Sequence, residues 1–248
     1  MTDPVHDVEL GPAGPAVEPG PVVLGTRAES GTPWPVLSWS PPQQWRAIAS
    51  TVVGGGIGPL AWWVNAMVAK DYHRSDPDAH VHEIAAALGL PVDRPGVGML
   101  TAADVRAATT ARDGGVAVCA TVGLGWPVWA AAQEDTIARE HDVREPPPPG
   151  TINILVTVPV PLSGAALVNA VATATEAKTQ ALLETGFQAS GTSSDAICIA
   201  CPVPDPARTL ELYGGPRSLW GARVARAVHA AVCSGARAWP PALGIPGQ

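Results

Sequence analysis

The chain has 248 residues, with 15 Lys and Arg against 22 Asp and Glu, for a net charge of −7. An acidic balance of that size argues against a nucleic-acid partner or an anionic membrane surface. No apolar run reaches the length that crosses a bilayer, so no membrane partner is expected.

The first residues, "MTDPVHDVELGPAGPAVEPGP", have neither a basic start nor an apolar centre. They do not read as a signal peptide, which implies the cytoplasm, where disulfides rarely persist. Pro and Gly dominate this stretch, so a flexible tail is expected over residues 1–31. One domain is expected over 32–235, with a second loose tail over 236–248. "PWPVLSWS" (34–41) and "WRAIASTVVGG" (45–55) read as two strands around a Pro-rich turn. "GGGIG" (54–58) then opens a segment with adjacent tryptophans. A charged loop, "AKDYHRSDPDAH", leads into a short helix ending near Leu88, with Gly89 as its stop.

"GVGMLTAADVRAATTARDGGVAVCATVGLG" reads as strand, helix capped by Thr101, Gly turn and strand. "TINILVTVPVPLSGAALVNAVATATEAKTQALLETG" followed by "GTSSDAICIACP" repeats that order, with Ser163 as the cap. An internal duplication is one reading of this, and two ordinary strand–helix–strand units the other. "REPPPPG" (144–150) is a stiff connection between the blocks. A last helix is expected from Pro216 to Ser234, with Pro in its first turn. Alternating strands and helices point to an α/β (α+β) fold: a layered single domain with a mixed β-sheet packed by Ala-rich helices.

The helix over 163–185 carries two polar features. At about 100° per residue, Asn169, Thr173, Glu176 and Gln180 share one stripe. Lys178 falls on the opposite, apolar side, so it cannot pair with Glu176 on the same helix. Neutral hydrogen-bonding side chains suit a confined polar surface, although a mildly polar outer face gives the same pattern.

Other motifs carry less. "GIGPLA" (56–61) imitates a dinucleotide loop, but Pro59 interrupts it and no acidic strand end follows. Its glycines fit a close backbone approach. Cys198 and Cys201 in "CIAC" lie three apart on a buried strand and so point to opposite faces. His73, Asp76, Asp78, His80, His82 and Glu83 are crowded together, yet "HEIAA" is not H-E-x-x-H, and the spacing suits a solvated loop. No metal site is expected. Gly191 with Thr192, Ser193 and Ser194 would form a small backbone pocket for an anion or carbonyl oxygen, or an ordinary turn.

Taken in order, "VVGGGIG", "KDY…DPDAH", "GVGMLTAADV", "ATVGLGWPVWA", "GTINILVTVPVPLSGAALVNAVATATEAKTQAL", "GTSSDAICIACP" and "YGGPRSLWGARVARAVHAAV" resemble the adenosylcobinamide amidohydrolases. The resemblance spans about residues 35–234 and is most specific from Gly150 to Pro202. It implies hydrolysis of the amide joining the corrin ring to aminopropanol, giving adenosylcobyric acid and 1-aminopropan-2-ol for cobamide salvage. The partner it implies is a small-molecule corrinoid, with no further cofactor, and a homodimer is the default assembly. A corrin is a flat ring edged with amides. Trp62, Trp63, Trp126 and Trp129 would wall it, although each taken singly reads better as a core residue, and Gly55, Gly56, Asn169, Thr173, Thr192 and Ser193 would line its rim. Glu176 is the first candidate for general base and Asp195 the second. Lys178 would protonate the leaving amine or steady the oxyanion. Asn153 and the amides around Thr192 would bind that oxyanion. Two rival readings remain: a corrinoid-binding protein without hydrolysis, and an amide hydrolase or acyltransferase on another substrate. The chain lacks D-x-H-x-x-G, the signature associated with base-off cobalamin carriers.

Overall fold

The computed structural model describes residues 17–133, 150–206 and 208–239. The strands are β1 (Val23–Glu29), β2 (Thr32–Trp39), β3 (Trp45–Ala49), β4 (Gly56–Leu60), β5 (Trp62–Met67), β6 (Gly96–Thr101), β7 (Thr109–Asp113), β8 (Val116–Val122), β9 (Pro127–Val128), β10 (Ile152–Thr157), β11 (Gly191–Thr192) and β12 (Ala196–Pro202). The helices are α1 (Pro77–Ala87), α2 (Gly164–Glu184) and α3 (Leu219–Ala238).

The mixed pairing expected from sequence is present, but in two large sheets rather than one. The first runs β1-β2-β5-β6 and the second β4-β3-β12-β10-β8-β7; β9 and β11 pair separately. Each large sheet has one parallel pair, β5 with β6 and β10 with β12. A parallel pair needs a long crossover, and α1 and α2 supply the two.

Period-two alternation sorts the side chains into layers. On β12, Ile197, Ile199 and Cys201 meet α2 and α3, while Ala196, Cys198 and Ala200 face the other sheet. On β5, Trp62, Val64 and Ala66 face α1, and Trp63 faces the second sheet. The order is therefore α1, four-stranded sheet, six-stranded sheet, and the α2–α3 pair. Small residues (Ala47, Ala49, Ala200) let the sheets approach, and Trp39, Trp45 and Trp63 fill the space between them. Trp39 and Trp45 meet edge to face, 5.2 Å between ring centroids.

Several local signals act as expected. Ser163 caps α2 by accepting a hydrogen bond from Ala166 N. Gly89, at φ +70°, ends α1, and Leu90 N donates back to Ala85 O. Others are overturned. Residues 102–112 form no helix: a single 3-10 turn, Val105–Ala107, is capped by Asp104, and β7 follows. Thr109 and Thr110 are β-branched, and Gly114–Gly115, both at positive φ, close a two-residue hairpin onto β8. The two blocks therefore differ in topology, and the suggested duplication is not there. The tail expected over 1–31 is also corrected, because residues 23–29 form β1. β1 pairs with β2 along its whole length, and Trp39 Nε1 donates to Pro19 O at 2.6 Å. α3 starts at a Ser218 cap, past Pro216, and reaches Ala238. Residues 1–16, most of "REPPPPG" and 240–248 lie outside the described residues.

Gly96 sets a packing limit. A Cβ there would overlap the fully buried Trp62 indole, which is itself held by Nε1 donating to Arg94 O at 3.0 Å. Gly96→Ala is expected to cost about 3 kcal/mol of stability by overpacking. A urea midpoint equal to that of the wild type would contradict this packing.

Candidate active site

One end of the six-stranded sheet gathers the polar chemistry. The N-terminal ends of β10 and β12 and the C-terminal ends of β3 and β8 meet there, as their registers require. Asp195 sits just before β12. Its Oδ1 accepts from Ile152 N at 3.0 Å and from the Thr192 hydroxyl. Its Oδ2 accepts from Thr192 N at 3.1 Å and from Lys178 Nζ in a short contact. The Lys178 and Asp195 side chains are 7% and 11% exposed, so this ion pair is nearly dry.

The local sequence explains the arrangement. Lys178 projects from the sheet-facing side of α2, among Ala174, Ala177, Ala181 and Leu182. The 191–195 turn doubles back so that Asp195 receives both the amide and the hydroxyl of Thr192. Gly191 is required beside it, because a Cβ would strike Asp195 Oδ2 and Lys178 Nζ. The turn is held from both sides. β11 pairs with β9, and Thr151 Oγ1 lies 2.8 Å from Ser194 Oγ. Ser193 and Ser194 are exposed. Trp126 and Trp129 flank β9, partly and largely exposed respectively. The β3–β4 turn with Gly55 and Gly56 lies at this same end, since Ala49 pairs with both Gly56 and Cys198. Gly54 packs its Cα against Gly96 O, and a Cβ on Gly55 would meet Thr51 O, so the glycines serve backbone approach.

The expected constellation is therefore divided. Lys178, Asp195, Thr192 and Ser193 come together, but Glu176 does not join them. It is exposed on the far side of α2, two residues and about 200° from Lys178. The stripe of Asn169, Thr173, Glu176 and Gln180 faces α3 and the loop before it. Thr173 Oγ1 donates to Gly214 O at 2.9 Å, Gly215 packs against Asn169, and Gln180 bonds Glu184. The groove along it measures about 250 Å³. That is below the roughly 300–1,000 Å³ of small-molecule sites, and small for a corrin. Trp62 and Trp63 are core residues, 0% and 1% exposed, and wall no open surface.

Two expected oxyanion donors are already engaged. Thr192 N is taken by Asp195. Asn153 Nδ2 donates to Asn65 Oδ1 at 2.9 Å and to Leu100 O at 3.1 Å, which joins the two sheets. Because Leu100 O can only accept, the Asn153 amide presents an oxygen, Oδ1, as its remaining polar atom, and that atom has no hydrogen-bond partner. Asn65, which also donates to Thr121 Oγ1 at 3.0 Å, escaped the sequence reading. An amide inside the apolar run "WWVNAM" was the available signal.

The acidic and His-rich segment over 71–83 is bonded within itself and to Glu29 of β1. Arg74 bridges Asp76 and Glu83 and holds both carboxyls below their usual range. His80 is buried against Tyr72 and Glu29. Cys198 and Cys201 face opposite layers, and burial raises both thiols, that of Cys201 to about 11. A pair so placed cannot share an ion.

A family model described as adenosylcobinamide amidohydrolase matches residues 23–242. An adenosylcobinamide amidohydrolase of Halobacterium salinarum is 36% identical over 166 residues, covering 66% of this chain and 69% of the relative. One of Methanosarcina mazei is 27% identical over 192 residues, covering 75% and 88%. Among solved structures, the PH0078 protein from Pyrococcus horikoshii aligns with a TM-score of 0.46 at 11% identity, covering 86% of this chain and 83% of its own. The family match runs from the first residue of β1 past the end of α3, and the chain belongs to the adenosylcobinamide amidohydrolase family.

Proposed function

We propose that this chain hydrolyses the amide between aminopropanol and the corrin ring of adenosylcobinamide, giving adenosylcobyric acid and 1-aminopropan-2-ol, a step of cobamide salvage. The observation that carries the reading is the nearly dry Lys178–Asp195–Thr192 cluster, set at a sheet end beside the half-buried Trp126 and the exposed Trp129. Family membership supplies the substrate.

Asp195, rather than Glu176, is the working carboxylate of this reading. Its oxygens already hold four donors, about the number of acceptor sites an ionised carboxylate has. It therefore takes a proton from a group already bonded to it. Attacking water passes its proton to Thr192 Oγ1 while the Thr192 proton moves to Asp195 Oδ1. Lys178 gives a proton to the leaving nitrogen and takes one back from solvent, while Asp195 Oδ1 returns its proton through Thr192 Oγ1 to solvent, so the cycle closes. A charged Lys178 also favours the developing oxyanion. Trp126 and Trp129 stand as the apolar wall for the ring, and the Ser193 and Ser194 hydroxyls meet its amide rim.

Purified protein incubated with adenosylcobinamide should yield adenosylcobyric acid by mass spectrometry. Bound but unconverted corrinoid would instead favour a binding protein. Asp195→Asn and Thr192→Val should each lower turnover roughly a hundred- to ten-thousand-fold, with Thr192→Ser retaining activity. Glu176→Gln should stay within a few fold of the wild type; the reverse order of effects would return the base to Glu176. Lys178→Met leaves a buried carboxylate short of one partner. It should cost about 2 kcal/mol in denaturant titration, less than a fully dry pair because three donors to Asp195 remain. An unchanged midpoint would show that the Lys178–Asp195 pair adds nothing to stability.

A further inference from the structure

Away from the reaction centre, α2 and α3 run side by side and bring three different ligand types to one point. His229 and Cys233 are four residues apart on α3 and so share a face. Glu184 is the last residue of α2. His229 Nε2 lies 2.8 Å from Glu184 Oε2, and Cys233 Sγ lies 3.6 Å from His229 Nε2. All three ligand atoms fall within 4.8 Å of one another.

We propose that Glu184, His229 and Cys233 form a metal site of the zinc class that clips α2 to α3. Zinc bonds of about 2.3 Å to sulfur and about 2.0–2.2 Å to nitrogen and oxygen, at tetrahedral angles, set S–N near ~3.6 Å and N–O near ~3.4 Å. The sulfur–nitrogen gap already has that length. The nitrogen–oxygen pair has to open by only ~0.6 Å, a side-chain adjustment at a partly exposed carboxylate. A thiolate, an imidazole and a carboxylate together suit zinc better than calcium or magnesium. An outer contact is in place as well: Gln180 Nε2 donates to Glu184 Oε1 at 2.7 Å and fixes the carboxylate. Arg237 is the nearby cation that acts on both Glu184 and Cys233 and favours their charged, ligating forms; once bound, the ion is neutralised by those two charges, so Arg237 faces a neutral centre. On binding, the Cys233 proton leaves to solvent and His229 keeps its proton on Nδ1. Water takes the fourth position on the exposed Glu184 side. Among the described residues, no other group of three His, Cys, Asp or Glu converges in this way.

Metal-free protein titrated with Co²⁺ should bind one ion per chain and show thiolate-to-cobalt charge-transfer absorption, which Zn²⁺ then displaces. Zn²⁺ should also raise the thermal midpoint, because it binds the folded state. Cys233→Ser should lose the absorption. Glu184→Gln and His229→Asn should weaken Zn²⁺ binding at least tenfold with unchanged circular dichroism. Glu184 is exposed, so its variant reads the site even where a Cys233 variant fails to fold. Absence of thiolate absorption at one equivalent, its survival in Cys233→Ser, or wild-type affinity in Glu184→Gln would each overturn the site.

Discussion

The Asp195 carboxylate ties together pieces of chain that are far apart in sequence. It takes a backbone amide from β10, the amide and hydroxyl of Thr192 from the turn before β12, and the ammonium of Lys178 from α2. One small anion thus fixes the near end of a parallel strand pair, the turn that follows the crossover, and the rotation of the crossover helix itself. Lys178 has to face the sheet for this. The rest of α2 follows: Ala170, Ala174, Ala177 and Ala181 pack inward, and Glu176 points away. Gly191 follows as well, because no side chain fits between the lysine and the carboxylate.

The second constraint is the distance between the two sheets. Alanines on β3 and β12 bring them close, and three tryptophans occupy the space that remains. The Asn65–Asn153–Thr121 network crosses the gap by hydrogen bonds. β10 thereby carries both structures in adjacent residues. Ile152 offers its amide to Asp195, and Asn153 reaches into the opposite layer. A shift of one residue in β10 would exchange their faces and dismantle both.

What the sequence disclosed depended on how local each signal was. Ser163, Gly89 and the alternation through Cys198 and Cys201 act within a few residues, and they read true. Lys178 stood out because a charge in an apolar stripe has no local explanation, and its partner lay seventeen residues on. The helix expected over 102–112 failed because "AADVRAATTARD" has helical composition while the Gly114–Gly115 hairpin and the edge of a sheet decide its shape. β1 was hidden because its half-exposed residues look like tail, and only pairing with β2 gives them structure. Trp62 marks the limit on the site side. A large aromatic beside a glycine run suits a core residue or a ligand wall, and for Trp62 the choice is made by Gly96, thirty-four residues later. Periodicity showed that α2 has two polar features on opposite sides. Which side meets the sheet depends on the strands beneath it, and that brought Lys178 to Asp195 and left Glu176 on the outer side.

Stability alone does not account for the Lys178–Asp195 pair. Taking two charges out of water costs several kcal/mol each, and well-packed apolar groups of similar volume usually serve a core as well or better. Leu182, one turn further along α2, fills the same layer without that cost. A helix so rich in alanine had room for another aliphatic side chain at position 178. The pair instead occupies the sheet end where the 191–195 turn, the β9–β11 pairing, the half-buried Trp126 and the exposed Trp129 also meet. A charge placed there is screened little by water, so it acts strongly on whatever enters. A hydroxyl held against the carboxylate is oriented before substrate arrives. These properties are of little use to a core and are what amide hydrolysis requires, which is the physical reason to place the chemistry at Asp195.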